Sequence, residues 1–339
     1  MATIFFAHRF GTSLEPECKM YRLLADVLND FAFVLDCLSP VLLKPVRVVV
    51  LSFSSVLRAL CGVAAGSAKA SLSAHFARWG NLGELNAKDS SQETVISLMG
   101  MLVGSLVVTW ITTPLATWTT LILLLSIHLE TNRRAVRAVS MRTLNRQRAT
   151  LVYHELMRGQ VPKPEDISRQ ERIFERDDVL RNSNDQISGS CAVGASMTTF
   201  LASLASQQRS ATRAMTVDSA WQTTMLKHLN GRMYLLSSDG NSDSVHYNIV
   251  IKSGATPKHI LTGWWHALAL SERASALRSL TDTPEGQKEM AKIMEATATD
   301  ASKLMQQYSE ALKQAGWDLE TGALETRSSI RVGVSAKDD

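Results

Sequence analysis

"TVISLMGMLVGSLVVTWITTPLATWTTLILLLSIHL" (residues 94–129) is an apolar stretch without a single Lys, Arg, Asp or Glu. An uncharged run longer than about 18 residues is typical of a segment that crosses a membrane. Thr112, Thr113 and Pro114 interrupt it, and proline removes a backbone donor and crowds the preceding turn. The pattern predicts two apolar helices, at 95–111 and 115–129, arranged as a hairpin, a re-entrant pair or one long kinked helix. A helix pair buried in a large soluble core is the alternative interpretation.

A polar cluster stands immediately before this stretch and consists of Lys88, Asp89, Ser90, Ser91, Gln92 and Glu93. Ser90 followed by Glu93 matches a capping box, in which both side chains bind free backbone N–H groups at a helix start. We therefore expect the first membrane helix to begin here. Because six consecutive polar residues exceed what capping requires, the second interpretation is an anion site formed by Lys88, the serines and the free N–H groups. The acidic residues of the cluster count against that site.

Two helical segments precede the polar cluster. Residues 13–40 carry apolar residues at spacings of three and four, interrupted by Asp26, Asn29 and Asp30. Ionisable groups on a membrane helix face a bundle interior or a wet cavity and mark a pathway, so these three are candidate pathway residues. A helix at a surface or interface is the alternative. Residues 46–78 carry small residues at intervals of four, which suits close helix packing in lipid or, alternatively, a flat packing face in a soluble protein.

Basic residues follow the apolar stretch with no acid among them: Arg133, Arg134, Arg137, Arg142, Arg146 and Arg148. A basic block beside an apolar span is the positive-inside pattern, and each basic residue near anionic headgroups contributes about 1 kcal/mol. We expect the first four of these arginines to face lipid headgroups. A solvated helix face is the alternative.

The second half of the chain is more polar than the first, and it predicts strands as well as helices. Residues 159–215 are polar and predict a linker or loosely ordered crossing. Residues 232–254 predict two strands around an Asp-Gly-Asn-Ser turn, Thr256 and Pro257 begin a helix, and 285–315 form a long amphipathic helix ending at Gly316. Short strands return over 317–334. The predicted fold is mainly α: a helical membrane-associated domain (1–158), the linker (159–215) and a small α+β domain (216–339).

The residues that could carry chemistry form no catalytic set. Net charge is only +4 and aromatic residues make up 6%, which does not indicate nucleic-acid binding. Four scattered cysteines predict neither a zinc site nor a disulfide framework. His154 and Glu155 lack the second histidine of a helical zinc motif, and His128 and Glu130 lie on different sides of a helix. We predict no catalytic residue, no metal, no cofactor and no enzymatic activity.

Four segments resemble the root UV-B sensitive (RUS) family: "RLLADVLND" (22–30), "CGVAAGSAKASLSAHFAR" (61–78), "NAKDSSQET" (86–94) and "NRRAVRAVSMRTLN" (132–145). The resemblance covers about residues 1–160, and "QAGWDLE" (314–320) is similar to the family's less distinctive tail. Family members usually carry a further segment before "FFAHRFG" (5–11), so we expect a member lacking its N-terminal portion. Arg133 departs from the pattern, where an aromatic residue is expected.

The resemblance implies a membrane-associated protein without established enzymatic activity. Plant relatives are tied to UV-B-dependent root growth, vitamin B6 homeostasis and auxin transport, often in plastids, so a plastid or other organelle envelope is the expected location. We expect a non-enzymatic scaffold or adaptor that contacts membrane lipid and binds a protein partner or family paralogue through its C-terminal domain. The alternative is a transporter or carrier subunit for a small anionic metabolite, its path lined by the candidate pathway residues and the polar cluster. An enzyme acting on a B6 vitamer has the least support.

Overall fold

The computed structural model describes residues 1–77, 80–206, 231–241, 244–273, 284–327 and 330–333. The chain divides into two compact units, Met1–Val139 and Ser140–Asp339. The mainly α architecture with a small sheet in the second unit agrees with the predicted fold class.

The N-terminal unit contains helices α1 (Ala2–Phe10), α2 (Cys18–Leu38), α3 (Lys44–Phe76), α4 (Leu82–Trp110) and α5 (Pro114–Ala138). α2 packs along α3 and also contacts α5, whereas α4 contacts α3. The helices predicted over 13–40 and 46–78 are therefore confirmed as α2 and α3. The small apolar core of the N-terminal unit is formed by Leu14, Tyr21, Ala25 and Ala64.

The predicted break in the apolar stretch is confirmed. α4 ends at Trp110, and α5 begins at Pro114, where Thr113 Oγ1 accepts a hydrogen bond from the Ala116 backbone N–H at 3.3 Å. Since α5 packs on α2 and α4 contacts α3, the described contacts do not pair the two halves as a tight hairpin.

The predicted start of the first apolar helix is wrong. α4 begins at Leu82, after Asn81, so Ser90 and Glu93 lie inside the helix rather than at its end. The physical reason is that the preceding residues are themselves compatible with a helix. Glu84 meets the positive end of the helix dipole in the first turn and forms an i,i+4 ion pair with Lys88 at 2.6 Å.

Within the described residues, α3 and α4 are long and apolar enough to cross a membrane by length and composition. Their 33 and 29 residues have mean hydropathies of 2.0 and 1.6 over the most apolar 18-residue window. At about 1.5 Å per residue each exceeds a hydrocarbon core of about 30 Å. A core helix of a soluble protein passes the same test, but only 17% of the α3 window and none of the α4 window is buried. α5 is not one of these helices.

In its described residues, the C-terminal unit contains a five-stranded sheet: β1 (Val179–Arg181), β2 (Ile187–Val193), β3 (Tyr234–Asn241), β4 (Ser244–Lys252) and β5 (Arg331–Val332). β2 and β5 pair with β4 in parallel, while β1–β2 and β3–β4 are antiparallel. The helices are α6 (Arg146–Met157), α7 (Pro164–Gln170), α8 (Met197–Ser206), α9 (Pro257–Glu272) and α10 (Pro284–Gln314).

The core of this unit lies where α9 packs on the sheet. Trp264 and Trp265 of α9 are fully buried. Their indole N–H groups donate to Thr150 Oγ1 and to the Ala149 carbonyl, each at 3.0 Å, which ties α6 to α9. Buried tryptophans with satisfied N–H groups are typical of a well-packed interior.

The predicted elements of the second half are largely confirmed. β3 and β4 form the predicted hairpin, but β3 runs through Asp239 and Gly240, which the sequence assigns to the turn. α9 begins at Pro257 as predicted, and α10 ends two residues before Gly316, whose φ of 105° fits a helix stop. Short strands were predicted over 317–334, and in the described residues of that range the strand found is β5.

The predicted domain boundaries differ from the structure. Residues 159–206, expected to be a linker, contain α7, β1, β2 and α8, while 207–215 lie outside the described residues. The units divide after Val139 rather than at 158, because α6 buries Ala149, Val152 and Leu156 in the C-terminal core. The sequence of α6 is basic and polar overall, so its apolar face was not recognised from the sequence.

Candidate functional site

The polar cluster lies within α4 and joins it to α3. Lys69 of α3 contacts Asp89 Oδ2 at 2.8 Å and Glu93 Oε2 at 2.7 Å. Because the cluster lies inside a helix, its backbone N–H groups take part in helical hydrogen bonds, and the free N–H groups required by the anion interpretation are not present there. These exposed ion pairs cross-link two helices and stabilise them by at most about 1 kcal/mol.

The candidate pathway residues Asp26 and Asp30 are buried on the inner face of α2, whereas Asn29 is half-buried. Arg22, Asp26 and Asp30 follow at intervals of four and therefore share one helix face. Asp26 and Asp30 therefore lie inside the helical unit rather than at its surface, while their role in a membrane pathway stays a prediction.

His128 of α5 completes this group, which we call the Asp–His cluster: Arg22, Asp26, Asp30 and His128. His128 Nδ1 lies 3.0 Å from Asp30 Oδ2, and Arg22 Nη1 donates to Asp26 Oδ1 at 3.2 Å. The other carboxylate oxygen of Asp26, Oδ2, is buried and has no hydrogen-bond partner. A buried carboxylate oxygen without a partner is costly and is typical of functional positions.

Sequence reasoning missed His128 and Arg22 as members of the site. It compared His128 with Glu130, its near neighbour, whereas its partner Asp30 lies 98 residues away. One local signal was available for Arg22, because a basic residue four positions before Asp26 predicts an i,i+4 ion pair.

The expected headgroup-facing arginines have different surroundings. Arg133 and Arg134 of α5 donate from Nε to Glu130, each at 2.7 Å, so an acid directly before the block offsets part of its charge. Arg137 and Arg142 are exposed. Contact of these four residues with headgroups stays a prediction.

Arg146 and Arg148, the last arginines of the block, are buried in the C-terminal unit. Arg146 pairs with Asp177 at 2.6 Å and with Asp178, and Arg148 Nε donates to Asn145 Oδ1 at 3.0 Å. Arg146 therefore holds α6 against the segment before β1, and Arg148 bonds the residue that caps α6 itself.

The described residues hold no group of three or more His, Cys, Asp or Glu side chains that could bind a metal ion. Cys191 is fully buried in β2, and burial raises the pKa of its thiol, which opposes formation of the nucleophilic thiolate. The Asp–His cluster brings two buried carboxylates of α2 together with a histidine of α5.

Comparison with known proteins gives matches over most of the chain. The family described as "Vitamin B6 photo-protection and homoeostasis domain" matches residues 1–160, and "Root UVB sensitive protein, C-terminal" matches residues 211–328. No solved structure matches.

Individual relatives match about half of the chain. RUS family member 1 of Dictyostelium discoideum is 38% identical over 176 residues, which cover 50% of this chain and 33% of the relative. Protein root UVB sensitive 3 of Arabidopsis thaliana is 37% identical over 173 residues, 50% of this chain and 39% of the relative. Protein root UVB sensitive 2, chloroplastic, of Arabidopsis thaliana is 28% identical over 166 residues, 48% of this chain and 38% of the relative. These matched regions span well under two thirds of the relatives' own lengths.

Proposed function

This chain belongs to the root UV-B sensitive (RUS) family, and from that premise we propose that it is a membrane-embedded, non-enzymatic scaffold or adaptor. Its N-terminal unit inserts α3 and α4 into lipid, and its C-terminal unit binds a protein partner or a family paralogue. The family description connects it to vitamin B6 photo-protection and homoeostasis, and we place its role in that process.

The observation that carries this proposal is the exposure of α4. None of its 29 residues is buried, although Val95–Trp110 is almost entirely apolar. Soluble monomers rarely expose contiguous apolar patches larger than a few hundred Å². A helix that is apolar around its whole circumference suits lipid better than a one-sided protein contact, since lipid covers every face.

Membrane insertion is tested by carbonate extraction of the tagged full chain, followed by protease protection of the C-terminal unit. We expect the chain to remain in the membrane pellet and the C-terminal unit to be wholly protected or wholly cleaved. Release of the chain by carbonate, or a monodisperse soluble particle without detergent, would refute the proposal.

The adaptor role is supported by the C-terminal unit, which closes its own core around α9. A small cavity at the edge of that core, which we call the groove, is lined by the core residues Leu144, Ile260 and Leu319 and by Thr321. We expect Thr321→Arg, which places a long charged side chain in the groove, to abolish co-purification of a partner with the full chain. Lys292→Glu, at an exposed position on α10, is the matched control and should retain the partner.

The expected location is an organelle envelope. One relative carries the word chloroplastic in its name, and for this chain a plastid or another organelle envelope is our proposal. Co-fractionation of the tagged chain with purified envelopes, compared with soluble organelle contents, is the measurement.

A carrier is the second candidate function, and the Asp–His cluster is the observation that favours it. The cluster brings two buried carboxylates of α2, Asp26 and Asp30, together with Arg22 and His128, and polar groups inside a helical bundle are typical of a transport path. Uptake by proteoliposomes that is identical for the native chain and Asp30→Asn would count against a carrier.

A further inference from the structure

We propose that the α2–α3 turn, residues 39–43, is an interfacial anchor that lies in the headgroup region of a bilayer and brings Lys44 to anionic lipid headgroups. This role rests on the proposed membrane insertion of α3. It deepens that proposal by naming the part of the N-terminal unit that meets the membrane surface and the lipid chemistry that it selects.

The turn carries apolar side chains on its outer surface. Val41 is 81% exposed and Leu43 is 77% exposed, and Leu38, at the end of α2, is 40% exposed. Val48 and Val49 are exposed in the following turn of α3. In water these side chains would gain nothing from the hydrophobic effect, whereas the acyl boundary of a bilayer would cover them.

The backbone of the turn has partners within the chain. Arg47 Nε donates to the Ser39 carbonyl at 3.0 Å, and Arg47 Nη2 donates to the carbonyls of Pro40 at 2.7 Å and Leu42 at 3.3 Å. Pro40 and Pro45 have no backbone N–H that would need an acceptor. Irregular backbone is tolerated next to lipid only where its polar groups are satisfied in this way. One guanidinium therefore prepares the turn for an environment with little water.

The charge of this region selects an anionic surface. From residue 37 to residue 83 the sequence contains Lys and Arg but no Asp or Glu. Lys44 follows the turn directly and is exposed, whereas Asp36, the acid that precedes the turn, pairs with Arg58. A lysine beside exposed apolar residues can keep its methylene groups among apolar atoms while its ammonium group reaches the headgroups. Anionic headgroups are the partners that complement this charge.

The distance between two lysines of α3 fits the thickness of a bilayer. Lys44 begins the helix, and Lys69, which pairs with Asp89 and Glu93 of α4, lies 25 residues later. At about 1.5 Å per residue they are about 37 Å apart along the helix. A bilayer measures about 30 Å across its hydrocarbon core and about 40–45 Å with its headgroup regions. The two lysines then lie in opposite headgroup regions, and the turn before Lys44 lies at the membrane surface.

The test measures the depth of a fluorescent probe at the turn. Val41→Cys is made in a full chain that also carries Cys37→Ser, because Cys37 is exposed while the other native cysteines are buried or half-buried. The labelled chain is reconstituted in vesicles of phosphatidylcholine and phosphatidylglycerol. A nitroxide on the lipid acyl chain, close to the headgroup, should quench the probe strongly, and iodide in the water should quench it weakly. Lys292→Cys, at an exposed position in the C-terminal unit, is the matched control and should show the reverse.

Two further variants test the roles of the basic residues. Arg47→Gln removes the donor of three carbonyl contacts, so the turn should withdraw from lipid and the probe should lose most of its nitroxide quenching. Lys44→Gln should shift the equilibrium toward the withdrawn turn about fivefold in vesicles that contain phosphatidylglycerol, the usual effect of one basic residue near an anionic surface. In pure phosphatidylcholine Lys44→Gln should have no effect.

Flotation with the vesicles separates the anchor from membrane insertion. If the native chain does not float, both proposals fail. If it floats but iodide quenches the probe at Val41 as strongly as the probe at Lys292, the turn lies in water and the anchor alone is refuted. Protection of the Val41 probe from both quenchers would mean that protein covers the turn, which also refutes the anchor. Equal quenching of Lys44→Gln and the native turn in anionic vesicles would refute the selection of anionic lipid. Native circular-dichroism spectra of the floating variants exclude misfolding as the cause of a lost signal.

Discussion

Replacing Leu102 by arginine tests directly whether lipid surrounds α4. Leu102 lies near the middle of the apolar part of α4 and is 64% exposed, so the substitution removes little packing within the chain. In water the change should be nearly neutral, because surface substitutions usually alter stability by less than about 0.5 kcal/mol. At the centre of a bilayer, leucine contributes roughly −0.3 to −0.6 kcal/mol to insertion and arginine about +2.5 to +3.5 kcal/mol.

The difference of about 3–4 kcal/mol corresponds to a hundredfold to thousandfold change in the insertion equilibrium. We expect the carbonate-resistant fraction of Leu102→Arg, made in the presence of microsomes, to fall sharply relative to the native chain. Ser91→Arg introduces the same charge at an exposed position in the polar part of α4 and should leave this fraction unchanged. Equal retention of both variants, together with unchanged thermal stability, would refute the assignment of α4 to lipid.

Three further predictions concern stability in equilibrium unfolding of the full chain followed by tryptophan fluorescence. Burial lowers the pKa of His266 to about 3, so between pH 6.5 and 3 the unfolded chain binds a proton at this residue and the folded chain does not. The free energy of unfolding should therefore fall by about 1.4 kcal/mol for each pH unit as the pH falls through this window. His266→Gln should remove that slope. Gly189→Ala should destabilise the C-terminal unit by about 1–3 kcal/mol, because its Cβ would lie 2.7 Å from the Val245 carbonyl oxygen. Gly322→Ala should be tolerated, because its Cβ would make only an ordinary van der Waals contact of 3.9 Å with Pro257 Cγ. Lys69→Ala should cost less than about 1 kcal/mol, since its ion pairs are exposed, and a larger loss would mean that they are desolvated.

The elements that the sequence predicted well are those with a local cause. The break at Pro114 follows from the geometry of one residue, and the β3–β4 hairpin follows from alternating apolar residues beside turn-forming ones. The start of α4 failed because a capping box is equally compatible with the interior of a helix. Ser90 and Glu93 satisfy the spacing rule, and the helix simply begins two turns earlier.

The parts that sequence reasoning missed depend on contacts distant along the chain. A single sequence does not reveal that Asp30 meets His128, because the two residues lie on different helices, 98 residues apart. The burial of Arg146 was missed for the same reason. In the sequence it belongs to a basic block, whereas in the structure it pairs with Asp177, 31 residues later. Charge patterning describes neighbours along the chain, whereas the fold decides which charges are buried together.

The N-terminal unit departs in two respects from a water-soluble helical bundle. In water, the hydrophobic effect places apolar side chains inside and leaves ionised groups at the surface. Here Asp26 and Asp30 are buried while Leu98, Leu102 and Leu106 of α4 are each more than half exposed. The proposed membrane insertion explains both departures, because lipid would accept the leucines and the bundle interior is where carboxylates find partners. A bundle built from the same helices for water would have to bury α4 and expose Asp30, and this structure has the reverse arrangement.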